Sequence, residues 1–201
     1  MTDVAFKFEK HGFETLIFEK KRDVVDWLNT EFKGVQTLGR SSSVTLDALG
    51  FDDIMSGQGI KIFNHVNSKP ENKREVLHAA NNSDVYFLSA NAVTADGLIF
   101  NVDASGNRVS AMTFGPKKVI YIIGKNKIVD DAEQAFLRLK KIAGPRNALR
   151  INKKNGCALN HGICVDCNSS ERICNAYLIL ARAPWSIDKS MVVFVNEDLG
   201  F

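Results

Sequence analysis

Three features are scarce in this 201-residue sequence: an excess of charge of one sign, long apolar runs, and cysteine outside one short segment. The 26 basic and 23 acidic residues leave a net charge of only +3, which gives no case for steering toward nucleic acid. No apolar run approaches the roughly 20 residues that span a membrane. Residues 1–10 mix polar and apolar side chains, which is not the pattern of a signal peptide. We therefore expect a cytoplasmic protein that binds neither nucleic acid nor membrane.

The four cysteines form one cluster with the spacing Cys157-x6-Cys164-x2-Cys167-x6-Cys174, in a polar segment rich in Gly and Asn. A reducing cytosol argues against disulfides. Thiolates are suitable ligands for zinc or an iron–sulfur cluster. Because the spacing is not that of the bacterial ferredoxin run, the identity of the metal stays open. Four reduced thiols, or a redox pair at Cys164 and Cys167, are the alternatives. We favour a four-cysteine metal site, with His161 as either a fifth ligand or an exposed loop residue.

The remaining composition is ordinary for a globular protein, with 45% apolar and 24% charged residues. We predict a single domain over residues 1–201, with a cysteine-bearing loop at about 145–176. Strands that alternate with helices predict an α/β fold, a layered sheet with helices on both faces. The predicted strands are 14–18, 35–38, 60–64, 85–89, 98–102, 109–114, 119–124, 177–182 and 191–195, and the predicted helices are 23–32, 45–49, 71–80 and 130–142.

Two details of this organisation can be tested against a structure. The continuous apolar character of 35–38, 85–89 and 119–124 predicts adjacent central strands that are buried on both faces. Residues 103–106 predict a hairpin turn, and the pair Gly144-Pro145 predicts the end of the helix 130–142.

The turn 41–45 places hydroxyl groups and backbone N–H groups at the start of a short helix. Such a position can bind a phosphate or a carboxylate, which makes Ser43 and Thr45 candidate ligand-binding residues. The alternative is that Ser43 simply caps the helix.

A second group of polar residues recurs where predicted strands give way to turns. Carboxylates, amides and cations together at strand ends are typical of ligand sites in open α/β sheets, although Asn, Asp and Gly are also ordinary turn residues. Asp96 is the candidate acid–base residue. The candidate ligand-binding residues in this group are Asn91, Asn107, Arg108 and Lys117.

Three stretches carry a resemblance to a known family. The sequence NAVTADGLIFNVDASGNR at 91–108 is similar to the central signature of LUD (lactate-utilisation) domain proteins. So are FGPKKVIYIIGKNKIV at 114–129 and GICVDCNSSERICN at 162–175, and the similarity runs over about residues 13–195. The cysteine segment resembles that of the stand-alone members carrying such a cluster.

The resemblance implies a three-layer α/β/α, Rossmann-like fold, as in the superfamily of CoA transferases, ribose-phosphate isomerases and glucosamine-phosphate deaminases. It also implies a relation to systems that oxidise lactate through iron–sulfur partners. The family's Gly-x-Ser-x-Thr-Leu turn falls on 41–46, where Ser43 and Thr45 match. Ser41 stands in place of the glycine and crowds the approach of an anion.

Three functions are compatible with these features. The first is an accessory or electron-transfer component in oxidation of lactate or a similar small hydroxy acid, with a cluster on the four cysteines and an iron–sulfur redox partner protein. The second is a stand-alone enzyme on a small anionic metabolite, with Asp96 as acid–base residue, Arg108 and Lys117 as anion clamps, and structural zinc. The third is a non-catalytic binding module whose metal only crosslinks the loop. The sequence leaves open whether the protein forms a homo-oligomer.

Overall fold

Parallel strands occupy the centre of the computed structural model, which describes residues 1–201. The strands are β1 (Glu14–Phe18), β2 (Thr37–Arg40), β3 (Lys61–Phe63), β4 (Val85–Leu88), β5 (Ala92–Thr94), β6 (Ile99–Asp103), β7 (Lys118–Gly124), β8 (Ile128–Val129), β9 (Ala176–Leu180) and β10 (Lys189–Val195). The α-helices are α1 (Thr2–Lys10), α2 (Lys21–Glu31), α3 (Val44–Asp47), α4 (Phe51–Gly57), α5 (Lys73–Asn81), α6 (Asn107–Ala111), α7 (Ala132–Arg138), α8 (Gly144–Arg150) and α9 (Gly156–Leu159). Two 3-10 turns (Pro70–Asn72 and Lys125–Lys127) and a π-helix (Leu139–Ala143) complete the set.

The main sheet has six parallel strands in the order β1-β10-β7-β4-β2-β3. The predicted adjacency of the three apolar runs is confirmed, since β2, β4 and β7 are neighbours at its centre. Every residue of β4 is buried, because alternate side chains enter two different cores. Tyr86 and Leu88 face the core under α1, α5 and α6, whereas Val85 and Phe87 face the core under α2, α3 and α4. The fold is therefore the predicted three-layer α/β/α arrangement.

A second, four-stranded sheet in the order β8-β5-β6-β9 lies outside the sequence prediction. Its strands β5 and β8 have three and two residues, too few to produce a periodic pattern. One face packs Phe100 and Val102 against Ala135 of α7 and Leu139 of the π-helix. This sheet positions the hairpin β5–β6, whose open end faces the site described below.

The predicted strand at 109–114 and hairpin turn at 103–106 are wrong, because helix α6 begins at Asn107. The Asp103 carboxylate accepts hydrogen bonds from the backbone N–H of Ala104 at 2.7 Å and of Arg108 at 2.8 Å. Gly106 adopts a left-handed φ of 83° immediately before the helix. A side-chain carboxylate that accepts first-turn N–H groups stabilises a helix start, and here it overrides the β-propensity of the residues that follow.

The predicted helix end at Gly144-Pro145 is also wrong. The chain passes from α7 through the π-helix directly into α8, with Pro145 in the first turn of α8. A proline inside a continuous helix leaves one carbonyl of the preceding turn without its donor, and the π-helix directly before α8 is the local distortion that accommodates it. A Cβ on Gly144 would lie 3.3 Å from Cys174 Sγ, so the helix meets the cysteine segment at this point. None of the helices is both long enough and apolar enough to cross a membrane.

Candidate functional site

A cavity of about 670 Å³ opens where β2, β4 and β6 end and where the chain turns after β7. This cavity is called the cleft below. Residues 41–45 follow β2, Ser89 to Asn91 follow β4, and Asp103 ends β6. Carboxyl ends of parallel strands are where open α/β sheets bind ligands. Five of the predicted ligand-binding residues line it together: Ser43, Thr45, Asn91, Asn107 and Arg108.

The charges lining the cleft are mostly positive. Its cations are Lys73, Arg108, Lys127, Arg150, Lys153 and Arg172, and its carboxylates are Asp103 and Glu171. Both carboxylates are engaged within the protein. Asp103 lies 3.8 Å from Arg108 Nε, and Glu171 accepts a hydrogen bond from the backbone N–H of Lys154 at 2.6 Å. Six basic residues against two acidic ones give the lining an excess of positive charge in a partly enclosed space, which favours an anionic ligand.

The turn 41–45 is held in place by the buried side chain of Arg40. Its guanidinium donates to Asp47 at 2.5 Å and to Asp52 at 2.6 Å, and its Nε donates to the carbonyl of Ser41 at 3.1 Å. Ser43 caps α3 by accepting from the Leu46 N–H at 3.4 Å, as the alternative interpretation of this turn proposed. The turn is therefore fixed before any ligand arrives.

Ser41 replaces the glycine of the family turn, and its side chain is part of the cleft lining. Its Oγ is buried and has no hydrogen-bond partner in the protein. A buried hydroxyl without a partner is costly unless something else satisfies it.

Lys127 is a functional candidate that sequence reasoning missed. It is 3% exposed and lines the cleft, and its Nζ donates to Thr45 Oγ1 at 2.7 Å and Ser89 Oγ at 2.8 Å. Burial, together with the nearby cations Arg138 and Arg108, lowers the pKa of Lys127 to about 7. In the sequence it belongs to the run Lys125-Asn-Lys, which has the appearance of a solvated turn. The only signal for it was its place inside a family-like stretch.

Arg108 and Asn91 line the cleft and also stabilise its walls. Arg108 Nη2 donates to the Val102 carbonyl at 2.7 Å, while its Nε is buried without a hydrogen-bond partner. Asn91 Oδ1 accepts from the Val102 N–H at 2.8 Å, and the Asn91 N–H donates to Asn101 Oδ1 at 3.1 Å. The guanidinium is therefore held by Val102 and Asp103, and its Nη1 makes no hydrogen bond within the protein, whereas the amide oxygen of Asn91 is used in joining β4 to β6.

The expectation that Asp96 and Lys117 share this cleft is wrong. Asp96 lies exposed in the closed turn of the β5–β6 hairpin and accepts a hydrogen bond from Thr94 Oγ1, and the cleft is at the open end of that hairpin. Lys117 precedes β7, so it lies at the amino end of the main sheet, where its Nζ pairs with Asp84 at 3.1 Å. Neither residue lines the cleft. Each residue is next to a strand in the sequence. Asp96 follows β5 and Lys117 precedes β7, and in both cases the cleft lies at the opposite end of the strand.

A second, small cavity of about 20 Å³ has all four cysteines in its lining, and it is called the cysteine cavity below. All four are free thiols. Burial raises the pKa of Cys157 and Cys174, whereas a hydrogen bond from the Gly156 N–H is the main cause that lowers the pKa of Cys167. The donor set fits zinc or an iron–sulfur cluster. As the side chains stand, no three His, Cys, Asp or Glu residues are arranged to hold a metal ion, so the metal site stays a prediction.

The cleft and the cysteine cavity share one wall. The residues that line both are Gly144, Arg172, Ile173 and Cys174. Arg172 holds this wall together, because its Nη1 donates to the Cys167 carbonyl at 2.6 Å and its Nε donates to the Cys174 carbonyl at 3.0 Å. Its Nη2 also pairs with Asp166 at 3.0 Å. Arg172 and Cys174 therefore belong to both cavities.

Comparison with known proteins gives one family. A family model described as LUD domain matches residues 2–195. No curated protein matches the chain significantly. One similar solved structure is a duf162 family protein from Deinococcus radiodurans, which is 11% identical, with 88% of this chain and 98% of that chain covered and a TM-score of 0.36. At that identity and TM-score the solved structure carries no argument about fold or function.

Proposed function

Since the chain belongs to the LUD domain family, we propose that it is a lactate-utilisation-type protein. In this proposal it is an accessory or electron-transfer component in the oxidation of lactate or a similar small hydroxy acid. The proposal has two parts. The cleft binds the small anion, and the four cysteines hold an iron–sulfur cluster that exchanges electrons with an iron–sulfur partner protein.

The cationic lining of the cleft is the observation that carries the first part. A hydroxy acid presents a carboxylate and a hydroxyl group, and the cleft offers guanidinium groups from Arg108 and Arg150 beside the hydroxyls of residues 41–45. Arg150 is already oriented, because its Nη2 donates to Ser42 Oγ at 2.8 Å. Paired N–H groups of arginine match the two oxygens of a carboxylate. A volume of about 670 Å³ leaves room for the acid and several waters.

The cysteine cavity supports the second part. Four thiols on one cavity are a suitable donor set for a cluster, and a bound cluster would supply one-electron chemistry. The buried side chains of Leu139 and Ile173 line the same space and would shield one side of the site from water. Cys174 belongs to the linings of both cavities, which is the observation that joins the two parts.

Anaerobic reconstitution with ferrous iron and sulfide tests the second part. We expect a brown protein with visible absorption, and we expect Cys164→Ser to remain colourless. His161→Asn is the matched control, because asparagine tolerates the left-handed φ of 51° at this position. It should keep the colour if His161 is not a ligand. A colourless wild-type protein that instead retains one zinc per chain would contradict the electron-transfer role.

A second candidate is a stand-alone enzyme on a small anionic metabolite, with zinc as a structural metal. The favouring observation is Lys127, a buried amine in the cleft whose pKa of about 7 suits acid–base chemistry. Under this proposal Lys127 rather than Asp96 exchanges the proton. Proton NMR of pyruvate or lactate incubated with the protein in D2O tests it. Loss of a C–H signal with wild type but not with Lys127→Met supports the enzyme, and no exchange with either protein rejects it for these two acids.

A further inference from the structure

One buried lysine in the cleft has no partner of opposite charge. The Nζ of Lys127 contacts the hydroxyl of Thr45 from α3 and the hydroxyl of Ser89 after β4, and these are its hydrogen-bond partners. The charged groups acting on it are Arg138 of α7 and Arg108 of α6, and both are cations. A buried ammonium with no carboxylate nearby is unfavourable, because hydroxyl groups only partly replace the water that it has lost.

The acidic residues of the surrounding elements are committed elsewhere. Asp47 of α3 pairs with Arg40, and Asp103 of β6 pairs with Arg108. The chain near Gly200 also approaches Lys127 with its backbone, and the next residue, Phe201, lines the same cleft. No side-chain carboxylate of these elements is therefore free to neutralise Lys127.

The position of Lys127 leaves one of its donors for a ligand. An ammonium carries three N–H groups, and two of them are used by Thr45 and Ser89. The side chain belongs to the lining of the cleft, so the third N–H is available to an oxygen placed there. Thr45 and Ser89 fix the direction of the amine, which reduces the entropy lost when a ligand binds.

We infer that Lys127 is the anion-binding group at the floor of the cleft, and that a carboxylate or other small oxyanion binds there together with a proton. The inference rests on the proposed anion-binding function and adds the residue and the proton. Near pH 7 about half of the free protein carries the neutral amine. A bound oxyanion supplies the missing opposite charge and favours the ammonium, so binding draws a proton from the buffer.

The sign of the pH dependence follows from this linkage. Well below pH 7 the amine is already charged, so affinity is constant and no proton is taken up. Above pH 7 each binding event must add a proton, so affinity falls by up to about tenfold per pH unit. Lactate does not titrate in this range, because an ordinary carboxyl group has a pKa of about 4. The dependence therefore reports on the protein.

Isothermal titration of the full chain with L-lactate, and separately with sulfate as a tetrahedral oxyanion, tests the inference. Each titration is made at each pH in two buffers that both work there and differ in ionisation enthalpy: MES and Bis-Tris at pH 5.5, PIPES and imidazole at pH 7, and HEPPS and Tris at pH 8.5. The difference in apparent enthalpy between the two buffers counts the protons taken up. We expect about half a proton at pH 7, close to none at pH 5.5, and close to one at pH 8.5. Tighter binding of lactate than of sulfate would indicate a carboxylate ligand, and the reverse would indicate a phosphate-like ligand.

Two variants assign the proton to its residue. Lys127→Met keeps an unbranched stem and removes the charge, and we expect at least about tenfold weaker binding with no proton uptake. Lys125→Met is the matched control, because Lys125 lies exposed on the same 3-10 turn and outside the cleft lining. The proton count of the wild type needs no variant, so a poorly folded Lys127→Met would not remove the test.

The outcomes separate the inference from the function on which it rests. Binding at pH 8.5 whose enthalpy is the same in both buffers, or equal affinity in wild type and Lys127→Met, overturns the inference and leaves the anion cleft standing. No binding of either probe by the wild type at about 10 mM overturns both.

Discussion

The cleft and the cysteine cavity share a wall but are held together in different ways. The cleft takes one part of its lining from the ends of β2, β4 and β6, which lie far apart in sequence and are buried, and another part from residues 143–153 and 170–174. The cysteine cavity is formed mainly by residues 155–174, which contain one four-residue helix and no strand. The core sheet fixes the geometry of the first, whereas the second depends on the local segment.

The cysteine segment has few apolar contacts to stabilise it. Its buried cluster is Ala148, Cys157 and Ile173, while Leu159 and Ile163 are 70% and 63% exposed. Asn155 caps α9, and Arg172 bridges backbone carbonyls, so hydrogen bonds supply most of the order. A long polar segment of this kind gains much from a metal crosslink, whereas the cleft does not need one.

Removal of one thiol should have the largest effect. We expect Cys164→Ser to lose bound metal and to raise amide hydrogen exchange across residues 155–174 to near-unprotected rates, while β4 and β7 stay protected because neither strand contains a cysteine. Exchange mass spectrometry on metal-loaded protein makes the measurement, with the exposed Ser170→Ala as control. Unchanged protection in a variant that has lost its metal would show that the segment orders itself.

The buried amine of Lys127 in the cleft should make the free energy of unfolding depend on pH. Its folded pKa of about 7 lies below the ordinary value of 10.5, so between these values the unfolded chain binds the extra proton and stability rises with pH. The gain is about 2 kcal/mol between pH 7.5 and 9. We expect urea denaturation of Lys127→Met to lack this gain and Lys125→Met to keep it. If the free energy of unfolding rises equally with pH in the wild type and both variants, Lys127 is not the cause of the rise.

Arg172→Ala should affect both regions, because its side chain lies on the shared wall. It loses hydrogen bonds to the carbonyls of Cys167 and Cys174, which we expect to lower the opening free energy of the cysteine segment by about 1 kcal/mol. It also removes one of six cations from the cleft, so lactate should bind a few-fold more weakly. Hydrogen exchange and titration on the same sample measure the two effects. An effect on only one of the two measurements would contradict the idea that Arg172 supports both cavities.

Asp96→Asn should have the smallest effect on either region. Asp96 is exposed and accepts a hydrogen bond from Thr94 at the end of the hairpin far from the cleft. An amide oxygen can still accept that bond, so we expect a change in stability within about 0.5 kcal/mol and unchanged lactate affinity. Thermal denaturation and titration provide both numbers. A tenfold loss of lactate affinity would show that Asp96 takes part in binding.

The core sheet could be predicted from the sequence because burial on both faces leaves continuous apolar runs, as in β4 and β7.

The cleft could be predicted only in part. Arg108 and the turn 41–45 were found because polar residues follow strands, but the same rule also selected Asp96 and Lys117. Sequence proximity to a strand does not tell at which end of the sheet a residue lies. Lys127 was missed because its burial depends on Thr45 and Ser89, which are 82 and 38 residues away.

The central claim is that the cleft binds a small anion through its cations. Titration of the full chain with L-lactate and with L-lactamide tests it most directly, because the two differ mainly in the carboxylate charge. At pH 6.5 and low salt we predict saturable, one-to-one binding of lactate, weakened by added salt, and no detectable binding of lactamide. Equal binding of the two, or binding of neither, would contradict the claim.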